Sequence, residues 1–196
     1  MNTSLNQDSL KQLFTEARTF NGFTEQPVAD ATLHTLYDLM KWGPTSMNAQ
    51  PARYLFLRSP EGRARLLPAL APTNQEKTRN APMTVIVAFD PRFFNHLPSQ
   101  FPAYDVKPMF TSNPLLAEAT AFRNGSLQGA YLILAARSLG LDCGPMSGFD
   151  AEAVDAEFFA DGDWKANFIV NIGYGDPQSI YPRGPRLSFN QVAKII

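Results

Sequence analysis

The sequence predicts an α+β (α/β) fold: a single domain over residues 1-196 in which helices flank a short mixed sheet. Three observations predict it. Met83–Phe89 and Ala166–Ile172 are short, β-branched runs that are apolar on both faces, as central strands are. Helical spacing dominates the rest of the chain, so helices outnumber strands. Finally, 196 residues that are 44% hydrophobic, with 15 Phe, 6 Tyr and 2 Trp, suffice to fill a packed core.

Taken in order, Ser9–Thr19 reads as a first helix, with Leu10, Leu13, Phe14 and Ala17 at helical spacing. A second runs from about Asp30 to Trp42 and presents Leu33, Leu36, Tyr37 and Met40 on one face. Gly43-Pro44 stops it. Tyr54–Leu57 is a short strand, Pro60-Glu61 opens a helix to about Ala69, and Asn74–Arg79 adds a helical turn or two. Residues 91-112, rich in Pro and Phe with weak periodicity, read as a lid-like excursion holding a short helix near Arg92–His96.

Pro114 starts the longest helix, which Gly140 ends after about Leu139. Gly125 and Gly129 inside it each cost roughly 1 kcal/mol of helix propensity against Ala. Such residues mean a close approach, either by another helix or by a flat ligand, or else a packing notch in an ordinary buried helix. Leu141–Met146 leads to Asp150, which is placed to cap a helix over Ala151–Phe159. The tail, 176-196, contains Pro177, Pro182 and Pro185 and is expected to lie across another surface.

Composition excludes several function classes. With 17 Lys plus Arg against 18 Asp plus Glu, the formal charge is -1, which argues against a nucleic-acid binder. Eleven of the basic residues are Arg, so a local phosphate-gripping pocket is compatible with that balance. One cysteine, Cys143, rules out an internal disulfide, suits a reducing compartment and reads as a small core residue. His34 and His96 are too few for a histidine-built metal cluster. The polar start, Met1–Asp8, lacks the apolar stretch of a secretory signal, and no apolar run approaches the roughly 20 residues of a membrane span. The expectation is a soluble, cytoplasmic protein.

No dinucleotide-binding glycine fingerprint, phosphate loop or nucleophile elbow is present. A chain short of acid–base and nucleophilic groups remains an enzyme if a cofactor carries the reactive centre. Three polar clusters stand out. Arg18-Thr19 beside Asn21-Gly22 either ends a helix in a turn or holds a phosphate and a ring amide. Pro44-Thr45-Ser46-Met47-Asn48-Ala49-Gln50-Pro51 is a stiff loop full of donors and acceptors, suited to a planar heterocycle. Leu141–Asp150 brings glycines, and hence accessible backbone N–H groups, to a strand-to-helix passage.

In this order the clusters resemble the FMN-dependent nitroreductase family, and within it the malonic semialdehyde reductase branch of pyrimidine degradation. The resemblance covers nearly the whole chain. Ala17-Arg18-Thr19-Phe20-Asn21-Gly22, Met40–Ser46, Thr120–Asn124 and Leu139–Asp150 carry it, extended by Asn171–Asp176 and Pro185–Phe189. It implies a homodimer with two interfacial FMN sites and a C-terminal extension wrapping the partner. Arg18 and Thr19 would contact the phosphate, Asn21 the flavin edge, Asn74 its pyrimidine side, and Arg186 the phosphate as a second cation. Pro44, Thr45, Ser46, Asn48 and Gln50 would reach the flavin of the other subunit. Backbone at Ser147 and Gly148 would donate toward the ring.

Ala17, Asn21 and Ser147 depart from the broad family, which often has a basic residue, Lys and Glu there; all three departures fit the branch. The resemblance implies hydride passage from NADPH or NADH through flavin N5 to a small aldehyde, most specifically malonic semialdehyde. Arg92 or Lys107 would bind the substrate carboxylate. A broad nitroaromatic or quinone reductase, a flavin-binding module without turnover, and a flavin-free interaction protein are the alternatives.

Overall fold

The computed structural model describes residues 3–196; Met1 and Asn2 of the polar start lie outside the described residues. In chain order the elements are α1 (Gln7–Leu10, continued by a π turn Lys11–Thr15), α2 (Asp30–Met40), β1 (Ala52–Leu57), α3 (Pro60–Leu66), α4 (Pro72–Arg79), β2 (Met83–Phe89), α5 (Leu97–Gln100), α6 (Lys107–Thr111), α7 (Pro114–Ser138), β3 (Asp142–Met146), α8 (Ala151–Phe158), β4 (Lys165–Gly173) and α9 (Phe189–Val192).

The sheet order is β1-β2-β4-β3, which puts the two apolar runs at its centre. The expected mixed sheet is corrected: all three strand pairings are antiparallel. In the β1–β2 register Leu57 lies opposite Thr84, so the helical connection leaves and re-enters at one end without crossing the sheet. Parallel pairing enters through the isolated Thr19–Cys143 bridge. That bridge, with the Phe20 N–H donating to the Cys143 carbonyl at 3.1 Å, also explains why the first helix stops at Thr15 instead of Thr19. Backbone needed by the β3 edge cannot also continue a helix.

Alternation along β2 divides the core. Val85 and Val87 face a cluster with Leu36 and Met40 of α2 and Leu132 of α7. Ile86 and Ala88 face the other side, against Leu66 of α3, Val154 of α8 and Ile169. The excursion has a cluster of its own, in which Phe93, Leu97, Val106 and Phe110 pack with Phe89, Ala117 and Ala121. Its spacing is irregular because the segment folds as short separate turns.

Asn113 caps α7 by accepting from the Leu116 N–H, and Pro114 fills its first turn. Of the readings of its glycines, the packing notch describes what the structure shows: both meet the chain's own sheet, not another helix. A Cβ at Gly129 would stand 2.2 Å from the Phe168 ring, and one at Gly125 would stand 3.3 Å from Phe89 Cβ. Helix α7 also leaves Leu115, Phe122 and Leu127 exposed, while Trp42 beyond α2 and the tail residues Leu187, Phe189 and Val192 are exposed as well.

The contact between β3 and residues 17–21 depends on Gly144. A Cβ there would lie 2.5 Å from the Phe20 carbonyl oxygen, which is backbone and has no rotamer through which to yield. Gly144→Ala is expected to cost about 1–3 kcal/mol, the range for overpacking, in urea unfolding. An unchanged unfolding midpoint would contradict this packing.

Candidate functional site

The β3 edge organises two groups of polar residues. At its start, the bridged segment after α1 and the tail enclose a cavity of about 400 Å³. Arg18, Arg137, Arg183 and Arg186 line it together with Thr19 and Asn21, and among the described residues no carboxylate does. Each guanidinium is aimed by a backbone carbonyl. Arg18 donates to Tyr181, Arg183 to Ala17 at 3.1 Å, Arg137 to Leu13 at 2.9 Å, and Arg186 to Gly184 and Pro185 at 3.0 Å each. A guanidinium carries five N–H donors, so donors remain for an anion. The Arg137 Nε–H is buried without a partner.

Just past the end of β3 lies the second group. Asn74 of α4, 8% exposed, donates through Nδ2 to the Gly148 carbonyl at 2.9 Å, and the Ala71 N–H reaches the same oxygen at 3.0 Å. A Cβ at position 148 would lie 2.8 Å from Asn74 Nδ2, so the glycine is what lets helix and loop meet. Ser147 and Gly148 are exposed there. From Cys143 to Gly148 an extended chain covers roughly 17 Å at about 3.4 Å per residue. The arrangement suits an elongated molecule, with an anionic head at the arginines and a polar planar edge at Asn74.

The expected residues therefore separate. Arg18, Thr19, Asn21 and Arg186 meet in the cavity, and Asn74, Ser147 and Gly148 meet beyond it. Pro44, Thr45, Ser46, Asn48 and Gln50 join neither group. The Pro44 carbonyl accepts from Tyr131 Oη at 3.0 Å, and the Ser46 N–H donates to Asn124 Oδ1 at 2.8 Å. Asn48 Nδ2 donates to the Gln100 carbonyl at 3.0 Å, and Gln50 Nε2 to Gln100 Oε1 at 2.8 Å. Three residues of this loop, Met47, Asn48 and Gln50, have positive φ (53°, 50° and 44°), a conformation that costs side-chain-bearing residues stability and clusters at functional sites.

Arg137 and Arg183 were not among the expected site residues. Arg183 sits three positions before Arg186 in the same proline-bounded tail, which is a readable signal. Arg137 reaches the cavity from the last turn of α7, where sequence offers only a cation favourable to a helix end. Of the two cations expected to meet a substrate, Arg92 is instead paired with Asp163. His96 lies 3.5 Å from Asp90, which also pairs with Arg53 at 2.8 Å.

Electrostatics along β3 follow burial. The Asp142 carboxyl is pushed up by burial, opposed by the Gly175 N–H at 3.0 Å and by Arg137. Burial pushes the Cys143 thiol from 9.0 up to about 12, with Arg137 opposing and Asp142 reinforcing. A raised folded value means that the stability it contributes is whole below the unfolded value and is lost as pH rises toward the folded one. Unfolding free energy is expected to fall from about pH 9 with a slope of up to roughly 1.4 kcal/mol per pH unit. Tyr54, also raised by burial, joins only above its ordinary value of 10.0. Cys143→Ala should remove the slope between pH 9 and 10; an unchanged slope would contradict the assignment.

The chain is similar to known proteins along its length. Residues 15–174 match the family described as the Nitroreductase family. A protein of Rhodopseudomonas palustris (strain TIE-1), provisionally named an NADH dehydrogenase/NAD(P)H nitroreductase, is 54% identical over 196 residues, 100% of both chains. One of Burkholderia lata with the same provisional name is 57% identical over 193 residues, 98% of this chain and 99% of its own. Among solved structures, a provisionally named nitroreductase from Exiguobacterium sibiricum 255-15, in complex with FMN, superposes with a TM-score of 0.85. That match spans 100% of both chains at 19% identity, which speaks to the fold. With a family match across most of its length and relatives this similar from end to end, the chain belongs to the nitroreductase family.

Proposed function

We propose that this chain is an FMN-dependent NAD(P)H oxidoreductase that works as a homodimer in the cytoplasm. The observation that carries the reading is the carboxylate-free cavity lined by four arginines, joined along β3 to the Asn74–Gly148 contact. Its donors fit a phosphate monoester, because planar guanidinium forks match phosphate oxygens in pairs. Arg18, Arg137, Arg183 and Arg186 would neutralise that phosphate, with the Thr19 hydroxyl as a further donor. Asn21 and Asn74 would meet polar atoms at the ring edge, and the backbone at Ser147 and Gly148 would donate to it. When bound, FMN supplies hydride transfer between NAD(P)H and a small acceptor.

Asn74 and the backbone at Gly148 would orient the ring edge, the source of a proximity contribution to the rate. Fixed backbone donors there stabilise negative charge without having to reorganise. The loop from Pro44 to Gln50 lies apart from both groups, as a segment contributed to a second subunit's site would. Exposed Leu115, Phe122 and Leu127 on α7, and the exposed apolar residues of the tail, supply surface for that second copy. Residues 1-196 act as one domain, with 176-196 embracing the partner.

For the acceptor we favour malonic semialdehyde, reduced to 3-hydroxypropanoate, because Ala17, Asn21 and Ser147 fit that branch of the family. A broader nitroaromatic or quinone reductase is the second reading, favoured by the names of the two relatives. Anaerobic NADPH is expected to bleach the visible flavin band of the purified dimer. A band that persists with both NADPH and NADH would leave a binding module without turnover. Steady-state kinetics should then give a higher kcat/KM for malonic semialdehyde than for a nitrofuran; the reverse order would establish the second reading.

A further inference from the structure

Helix α4 is unusual in what holds it down. Its sequence, Pro-Thr-Asn-Gln-Glu-Lys-Thr-Arg, offers no large apolar side chain to the core, and its buried residues are Asn74 and Thr78. These two stand one turn apart on the same face. Asn74 reaches the Gly148 carbonyl, while Thr78, with no exposed surface, meets the sheet. Its hydroxyl accepts from Asn171 Nδ2 at 3.3 Å and donates toward the Met146 sulfur at 3.7 Å. Asn171 Oδ1 in turn accepts from Thr84 Oγ1 at 2.7 Å. Thr84, Asn171 and Thr78 are all fully buried, so each bond is made without competing water.

Met146 is the last residue of β3, immediately before Ser147-Gly148. Thr78 therefore touches the central strand β4 and the end of β3 that carries the loop, while its helix carries Asn74. We infer that Thr78 is a positioning residue: its hydroxyl sets the height of α4 on the sheet and so aligns the Asn74 carboxamide with the Ser147–Gly148 backbone. It touches neither the arginine cavity nor any group expected to meet a ligand directly. The inference rests on the reading above, in which that alignment receives the ring of FMN.

The test compares Thr78→Val, which keeps the shape and removes the hydroxyl, with Thr78→Ser, which keeps the hydroxyl. Thr84→Val serves as a control, because it opens the same network without touching α4. FMN affinity of the apoprotein is read by quenching of flavin fluorescence, inorganic phosphate affinity by competition, and stability by urea unfolding. Thr78→Val should raise the FMN Kd about fivefold, the equivalent of one lost hydrogen bond. It should leave phosphate affinity unchanged, and Thr78→Ser should restore FMN binding. Thr84→Val should lower stability with little change in FMN Kd.

Equal FMN weakening by both valine variants, or none by Thr78→Val, would reduce Thr78 to a stabilising residue and overturn the inference. A wild-type chain that takes up no FMN would overturn the cofactor reading and the positioning role together. Failure of the role alone requires a wild type that binds.

Discussion

Four guanidinium groups around one cavity repel one another, and no carboxylate on its walls offsets them. Such an arrangement is tolerable where solvent and salt screen the charges, and it becomes favourable when an anion enters. The rest of the architecture serves to assemble it. Residues 17–21 are drawn out of the first helix by pairing with β3, Arg137 is delivered from the end of the longest helix, and the prolines of the tail return Arg183 and Arg186 to the same place. The segments involved are more than 160 residues apart in the case of Arg183 and Ala17.

Strand β3 ties that cationic end to the opposite one. Its edge accepts the Phe20 N–H near one terminus and presents Ser147 and Gly148 just past the other. Glycine is required twice along this line, at 144 where a backbone carbonyl crosses and at 148 where Asn74 packs. At 144 the approaching group is a backbone carbonyl, and at 148 it is the Asn74 carboxamide. The Cys143 side chain turns into the core instead, which removes the chain's single thiol from the chemistry.

Much of the fold was legible because its physics is local. Met83–Phe89 is apolar on both faces, and a strand covered on both sides needs that pattern; helices α2, α7 and α8 show their spacing or caps directly. Strand direction was not legible, since it depends on whether a connection crosses the sheet. Strand β1 begins at Ala52, two residues earlier than Tyr54, because Arg53 is carried within it by a pair with Asp90. The excursion concealed its cluster of Phe93, Leu97, Val106 and Phe110 because short turns leave no period to read. At the site, adjacent residues such as Arg18-Thr19 formed a visible motif, whereas Arg137 acquires its place only through tertiary packing. Thr78 was silent for the same reason: a hydroxyl on a polar helix carries no sign that it faces a sheet.

Whether the arginine cavity is a phosphate site is measured most directly by the difference in affinity between FMN and riboflavin across a salt series. The phosphate is the whole difference between the two ligands. A phosphate site there makes FMN bind far more tightly at low ionic strength, with the gap narrowing as salt screens the charges. Equal affinity for the two flavins, independent of salt, would contradict it.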